Sequence, residues 1–354
     1  MIAKNETKNA KIEPIAPGKS IAQFVQYLDF PLWFEERFVP EFTTIFDAGG
    51  EDNRIFIAKE RNDIVGCVHC HLKPNHRYNG QVIPIFGWLK GDSEGILKTL
   101  LNACKSFAKS RGHQKIRGPI NQPKQLGGWG IITKGFGTRP TLNAPRDQPR
   151  LAHFFESTYG NGRGNGTNSA DVTTYYNNTL DRTEPIATRE KNVELVNPAP
   201  EKLFSNEELS SSLVKLIQSG FSSLLPDTSV VENQFAKYAK IYAQVQNPQD
   251  FYELAIDKDT KEVVGCLIAC PNLCDLWSGG KLESCLFDSI VIAKKWRRTN
   301  LGKKLWFTVA DRLRARGITD QINNYLWEEN VAVLKFQEPY SVPRHEIKVY
   351  TIPA

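Results

Sequence analysis

The clearest periodic signal lies in the second half of the chain. Leu301, Leu305, Val309 and Leu313 recur every four residues, which marks one apolar face of an amphipathic helix. Arg316-Gly317 ends that run, and a glycine just past a helix accepts the left-handed backbone of a C-terminal cap. Upstream, the apolar positions predict a short strand near Val193–Val196 and a helix over Glu207–Leu225. Its face is Leu209, Leu213, Leu216, Ile217 and Leu224. A second helix over Val230–Val245 would use Phe235, Tyr238, Ile241, Tyr242 and Val245. A hairpin, an apolar strand Leu286–Ile292 and the long helix follow. Then come a strand Ile322–Trp327, a short helix from Asn330 and a last strand His345–Ile352. The order is β-α-α-β-β-β-α-β-α-β.

Part of this pattern occurs twice. Phe56–Cys70 and Leu254–Cys270 both read as a strand, a charged turn and a second strand containing Val-Gly-Cys. Each is followed by another apolar strand, Val82–Leu89 in the first half and Leu286–Ile292 in the second. Each then leads to an amphipathic helix ending in Arg-Gly, at Arg111-Gly112 and Arg316-Gly317. Four features in one order predict a duplicated domain. Between the copies lies the Gly/Asn-rich stretch Tyr159–Ala170, which has too little apolar surface to order itself. The expected organisation is a disordered tail over 1–19, a first domain over 20–160, a linker over 161–190 and a second domain over 191–354.

A length of 354 residues suits two cores, and 40% hydrophobic with 24% charged residues is an ordinary globular composition. The net charge of +6 is too small to indicate nucleic acid by itself, but it suits an anionic small ligand. There is no secretory leader pattern and no apolar run long enough for a membrane span. A cytoplasmic location with seven reduced cysteines is therefore expected, and an odd count argues against a complete disulfide framework.

The chemistry concentrates where the strand ending at Ile292 enters the long helix. A helix start leaves backbone N–H groups without partners and carries partial positive charge. Gly302 lacks a Cβ that would block close approach, and Arg297, Arg298, Lys303 and Lys304 surround the turn. Such a turn suits a diphosphate. The corresponding turn of the first half, Lys90-Gly-Asp-Ser-Glu-Gly95, carries Asp92 and Glu94, which would repel one.

With that turn and that order of elements, the second half resembles the GNAT superfamily of acyl-CoA-dependent N-acyltransferases. The family signature is Gln/Arg-x-x-Gly-x-Gly/Ala, and here the segment reads Arg297-Arg298-Thr299-Asn300-Leu301-Gly302. Arg297 and Gly302 match. Asn300 replaces the middle glycine, and Asn tolerates left-handed backbone better than most residues. The family's second motif, an Asn after the next strand, has a match in Asn330. The resemblance covers about Val193–Ile352, with Phe24–Tyr159 similar to a degenerate copy. The likeness extends to a tandem-GNAT family with Arg-Gly-Pro-Ile-Asn in its first half (Arg117–Asn121) and Glu-x-Asn before the last helix (Glu328–Asn330). The implied fold class is α/β (α+β), two GNAT-like domains in tandem, each a mixed central sheet flanked by helices.

The resemblance implies direct transfer of an acyl group from a CoA thioester to an amine, acetyl being the usual group. It implies no tightly bound cofactor, with acetyl-CoA or another acyl-CoA as co-substrate and a small-molecule or peptide amine as acceptor. Arg297, Arg298, Thr299, Asn300, Leu301, Gly302 and Lys303 would hold the diphosphate. Ile290, Val291 and Ile292 would pair with the pantetheine, with Asn330 beside it. An alkylammonium with a pKa of about 10 needs a base. Asp288 is the first candidate, since strand alternation puts it on one face with Ile290 and Ile292. Glu283 and Glu328 are the other carboxylates in reach of this region. Many family members carry a Tyr seven residues after the motif Asn, to protonate the leaving thiolate. Here that position is Gln337, and Tyr340 is the substitute three residues on. If both halves had lost their chemistry, as Gln337 and Asn300 would favour, the chain would be a non-catalytic CoA-binding or scaffold protein.

Other signals are weaker. Cys67-Val-His-Cys-His71 has no second Cys/His pair at zinc-finger spacing, and no metal site is expected. Trp129, Trp296, Trp306 and Trp327 suit either core or an acyl pocket. No basic stripe with interleaved aromatics points to nucleic acid or the ribosome.

Overall fold

A computed structural model describes residues 10–73, 76–160, 169–179, 192–221, 227–229 and 234–354. By internal contacts the chain forms two units. The first is Met1–Thr173 with Pro226–Ser229 and His345–Ala354, and the second is Thr174–Leu225 with Val230–Arg344.

The first half contributes β1 (Lys11–Ile15), α1 (Ala22–Leu28), α2 (Leu32–Ala48), β2 (Asn53–Glu60), β3 (Asp63–His71), β4 (His76–Tyr78), β5 (Gln81–Val82) and β6 (Ile85–Gly91). It continues with α3 (Glu94–Lys109), β7 (Lys115–Gly118), α4 (Lys124–Gly127), β8 (Ile131–Lys134), α5 (Pro149–Tyr159) and β9 (Ser169–Asn178). The second half contributes β10 (Val193–Val196), α6 (Pro200–Ser205), α7 (Glu207–Phe221), β11 (Asp227–Ser229), α8 (Gln234–Tyr242), β12 (Tyr252–Asp257) and β13 (Val263–Pro271). It ends with α9 (Leu273–Trp277), β14 (Ser284–Ile292), α10 (Leu301–Ala315), β15 (Asp320–Trp327), α11 (Val331–Gln337) and β16 (Ser341–Pro353).

In the first unit the strands run β1-β2-β3-β6-β7-β16, with β8 also on β16, and a small second sheet runs β11-β4-β5. Helix α2 presents Phe34, Phe38, Phe42 and Phe46 at four-residue spacing, all buried. Each buried phenylalanine contributes about 1.5–3 kcal/mol of hydrophobic free energy. Helix α3 closes a second core with Ile96, Leu100, Cys104 and Phe107. In the second unit the order is β9-β15-β14-β13-β12-β10. The predicted stripe of α10 is buried at Leu301, Leu305, Val309 and Leu313.

The duplication extends to register. Ala58 faces Gly66 and Lys59 faces Ile64, so Val65 is a bulge residue. Ala255 faces Gly265 and Ile256 faces Val263, so Val264 is one at the equivalent place. The Val-Gly-Cys signal therefore marks a bulge as well as a strand.

Three expectations need correction. Residues 11–15 are a strand paired with β2, not part of a disordered tail, and residues 1–9 lie outside the described set. Within the expected linker, residues 169–178 form β9, while 161–168 and 180–191 lie outside the described residues. The last strand, assigned by sequence to the second domain, belongs from His345 to the first unit. Tyr350, Thr351, Ile352 and Pro353 pair there with β7. Arg117, fully buried, holds that strand. Its guanidinium donates to Thr351 Oγ1 at 2.9 Å and Asp171 Oδ2 at 2.6 Å, and lies 3.9 Å from the centroid of the Tyr78 ring. Predicted helix ends over 222–225 and 230–233 also lie outside the described residues.

None of the seven cysteines forms a disulfide, and all are buried. Among the described residues no His, Cys, Asp and Glu group is placed to hold a metal ion, and no helix is long and apolar enough to cross a membrane.

The histidines of β3 are core residues instead. His69 Nε2 lies 2.5 Å from Asn53 Oδ1, and the His71 ring lies 4.7 Å from the His69 ring. Burial pushes the His69 pKa down to about 3. Burial, then the neighbouring His69 and His76, pushes His71 well below the usual histidine range. The unfolded chain accepts protons below about pH 6.5 that the folded chain refuses, so stability present above that pH is lost as pH falls. Each histidine adds a slope of about 1.4 kcal/mol per pH unit. Melting curves between pH 7.5 and 5 should show this loss. His71→Leu should reduce the slope by about half, because it removes one of the two proton sites.

Candidate functional site

Strands β14 and β15 run parallel and pair from Ser284/Asp320 to Phe287/Asn323. Beyond that point β14 continues to Ile292 and β15 to Trp327 with no further pairing between them. The divergence coincides with a bulge against the other neighbour. Ile268 faces Ser289 but Ala269 faces Phe287, so Asp288 is the extra residue. Between the separated strands lies a cleft of about 80 Å³. Asp288, Ser289 and Ile290 line it from β14, and Asn323, Asn324 and Tyr325 from β15.

The bulge changes the faces that simple alternation predicts. Ile290 and Ile292 turn toward α10, each within 4 Å of where a Cβ on Gly302 would sit. Phe287 meets Trp306 of α10. Val291 turns toward Gly220 of α7, and Asp288 toward Tyr238 of α8. Asp288 therefore does not share a face with Ile290 and Ile292, because one inserted residue reverses the alternation beyond it.

Asp288 is half-buried and sits among donors. Tyr238 Oη donates to its Oδ2, Asn324 Nδ2 donates to Oδ1 at 3.4 Å, and Ser289 Oγ lies 3.5 Å from Oδ2. Burial and then the Asp288 charge push the Tyr238 phenol well above its usual pKa, which keeps its proton in the bond. Fully buried Tyr175 is raised too, by burial first, then by Tyr325 and Asp288. The opposite wall carries amides. Asn323 Nδ2 donates to Gln337 Oε1 at 2.9 Å and to Asn178 Oδ1 at 2.6 Å, and all three residues are buried.

At the far end of the cleft, β14 passes through a short turn into α10. Arg297, Arg298, Thr299 and Asn300 are exposed. Arg298 has φ 65°, the left-handed position of the turn. Arg297 Nε donates to Ile292 O at 3.0 Å, which ties the turn to the end of β14. Thr299 Oγ1 accepts from Leu301 N at 3.2 Å, and Asn300 stands at the N-cap without a side-chain cap. Lys303 Nζ lies 5.5 Å from the centroid of the Tyr340 ring. A Cβ at Gly302 would meet its nearest neighbours at 3.7–3.9 Å, an ordinary contact distance. The fold does not require glycine there.

The other sequence-predicted residues divide. Asn330, at the N-cap of α11, lines the cleft. Glu328 is exposed and does not line it. Glu283 precedes the opposite, paired end of β14, five residues from Asp288, and so lies about 16 Å away along the strand. Tyr340 packs edge-on against Trp306 and Phe307, at 5.9 and 5.1 Å, outside the lining. Sequence reasoning missed Tyr238, Asn323 and Asn324 as part of the site. Tyr238 had a signal, a polar tip that it shares with Tyr242 on a mostly apolar helix face, but nothing local pointed it at Asp288.

In the first unit the equivalent opening is filled by the chain itself. Strands β6 and β7 pair only at Ile85/Arg117. Residues 119–122 then lie against β6. Ile120 N donates to Phe86 O at 2.7 Å, and Trp88 N donates to Asn121 Oδ1 at 2.6 Å. A Cβ at Gly87 would stand 2.3 Å from Ile120 O. At the following turn Asp92 Oδ1 accepts from Tyr27 Oη at 2.6 Å, so the carboxylate is structural.

No protein-family model matches the sequence, and none of the curated proteins matches it. Solved structures do match. A GCN5-related N-acetyltransferase from Sphaerobacter thermophilus aligns over 97% of this chain and 95% of its own, with 11% identity and a TM-score of 0.56. A tandem GNAT protein from the clavulanic acid biosynthesis pathway aligns over 98% of both chains, with 13% identity and a TM-score of 0.55. A GCN5-related glucosamine N-acetyltransferase region of a fungal multi-domain GH3 beta-N-acetylglucosaminidase has 13% identity and a TM-score of 0.61. It covers 98% of this chain and 38% of that one. The chain thus has the GNAT fold in tandem, as the sequence predicted.

The contrast between two helical glycines is testable. A Cβ at Gly220 would stand 2.4 Å from Val291 Cγ1, whereas one at Gly302 meets only open contacts. Gly220→Ala should destabilise by about 1–3 kcal/mol, as overpacking does. Gly302→Ala should be neutral or stabilising by up to about 1 kcal/mol. Chemical denaturation of the two variants checks this.

Proposed function

We propose that the second unit is an acyl-CoA-dependent N-acyltransferase that moves an acyl group, acetyl in the simplest case, from a CoA thioester to an amine. The observation that carries this reading is the parting of β14 from β15 beside an open, cationic helix start. The parted edge of β14 leaves backbone N–H and C=O groups for an extended, amide-bearing arm. The turn at 297–303 leaves N–H groups and full charges for the arm's diphosphate. Gly302 fits the same role, since glycine at that position serves an incoming group and not the fold.

In this reading the amine enters on the Asp288 side and the thioester on the α10 side. Asp288 takes the ammonium proton, directly or through a water, and the Tyr238 hydroxyl steadies its charge. The freed amine attacks the thioester carbonyl, whose developing negative charge meets backbone N–H groups of β14; the C–S bond then breaks with its electron pair on sulfur, and the departing CoA thiolate takes up the second nitrogen proton through water. Holding both substrates in one cleft turns a two-body encounter into a local step. The filled slot and acidic turn of the first unit support a structural role for it, with one acyl-CoA bound per chain.

Three measurements test the proposal. Calorimetry with acetyl-CoA should give one site per chain. Arg297→Glu and Gly302→Ala should each weaken it at least about tenfold, a loss of 1.4 kcal/mol or more. No binding by the wild type, or full affinity in the reversed-charge variant, would overturn the assignment. In a thiol-release assay across a panel of amines, Asp288→Asn should lower kcat by roughly 10²–10⁴-fold while acetyl-CoA affinity stays within about threefold. Binding without thiol release from any amine would make the protein a CoA-binding scaffold instead.

A further inference from the structure

The first unit holds an open cavity of about 700 Å³, a size that houses small organic ligands. It lies between the end of α1, the last four residues of β6, the start of α3 and the segment leading into α5. Residues 119–122, which fill the gap between β6 and β7, do not line it. Four consecutive strand residues reach one cavity because β6 is irregular there. His69 faces Gly87 and Cys67 faces Lys90, so Trp88 and Leu89 together oppose Val68. Trp88 has φ 49°, a left-handed backbone that a bulky residue adopts only under constraint from its surroundings.

The wall is mostly apolar, with Phe30, Trp88, Leu97 and Leu151. Its charges are sorted by depth. The two half-buried ones are both cations, Lys90 and Arg146. Arg146 lies over the Phe34 and Phe30 rings, 3.9 and 4.6 Å from their centroids. The carboxylates Asp92, Glu94 and Asp147 are exposed, and so is Arg150, so water screens all four. Asp92 Oδ1 also accepts from Tyr27 Oη at 2.6 Å, and Asp147 Oδ2 from Gly137 N at 2.6 Å. Lys90 Nζ donates to Tyr27 O at 2.7 Å and Leu28 O at 3.2 Å, the last carbonyls of α1. An ammonium has three N–H groups, so one remains. Lys90 forms no ion pair among the described residues. A half-buried charge beside an apolar wall, with no counter-charge of its own, favours an anion that arrives from outside.

We propose that this cavity binds a small monocarboxylate with a hydrocarbon body. Its carboxylate sits on Lys90, and its body lies against Phe30, Trp88 and Leu97. Asp92 and Glu94 at the mouth disfavour a ligand with several negative charges, so it is not a second acyl-CoA. The site belongs wholly to the first unit and is independent of the acyl-transfer reading.

Calorimetry of the full chain with octanoate and phenylacetate, each beside its uncharged counterpart, octanol or phenylethanol, tests this. At least one acid should bind at one site per chain, and the tighter of the two tells an alkyl body from an aryl one. That acid should bind at least about tenfold more tightly than its alcohol, the advantage of a hydrogen bond between charged groups. Lys90→Met should remove this advantage and leave the alcohol unaffected. Because Lys90 also caps α1, a second variant avoids that cap. The Gln148 side chain lines the cavity and has no hydrogen bond among the described residues, so Gln148→Trp should fill the space and abolish binding of acid and alcohol alike. Acetyl-CoA affinity should be unchanged in both variants. No binding of either acid, equal affinity of acid and alcohol, or acid binding retained in Gln148→Trp would each overturn the proposal and leave the acyl-CoA reading standing. An acid advantage undiminished in Lys90→Met, or displacement of the acid by acetyl-CoA, would overturn it too. Acid binding with the expected variant effects but no acetyl-CoA binding would support this site and overturn only the acyl-CoA reading.

Discussion

The second unit depends on one interruption of backbone pairing. Two parallel strands share hydrogen bonds as far as Phe287 and Asn323 and then separate. Buried backbone groups are almost always paired, so a sheet that parts inside a fold must meet that demand from elsewhere. The bulge at Asp288 bends β14 and makes the parting possible. The same bulge turns Asp288 toward α8 and leaves Ile290 and Ile292 toward α10. One extra residue therefore opens the cleft and sorts its two sides.

The first unit shows the alternative solution to the same constraint. Its strands β6 and β7 also part early, but the chain returns through residues 119–122 and Asn121 Oδ1 accepts from the buried Trp88 N–H. The Arg-Gly-Pro-Ile-Asn segment thus does structural work at both ends. Asn121 seals the opening, and Arg117 ties the final strand and Asp171 into the unit. A duplicated architecture can keep its bulges and hairpins while one copy closes the gap that the other leaves open. Direct filling by the chain is a stronger barrier to a ligand than the two acidic residues of the turn, one of which is committed to Tyr27.

Polarity in the open cleft follows from what each flanking helix carries. Helix α8 brings a tyrosine whose proton is held by burial and by Asp288. Helix α11 brings the Gln337 amide, whose Oε1 accepts from Asn323 Nδ2 at 2.9 Å.

The sequence alone determined what is encoded within a few residues. The four-residue stripe of α10, the Val-Gly-Cys hairpins, the cationic turn and the tandem arrangement were all legible, because periodicity and turn chemistry are local properties. The aromatic ladder Phe34, Phe38, Phe42 and Phe46 was equally legible by its spacing but was not read as a helix. Tertiary structure alone decided the rest. It placed the last strand beside β7, ordered residues 11–15 against β2, and turned Asp288 to the face where Tyr238 meets it. A strand's apolar pattern says which face is buried, but not which neighbour it pairs with. A bulge is a mismatch between two strands, so it exists only once both are in place.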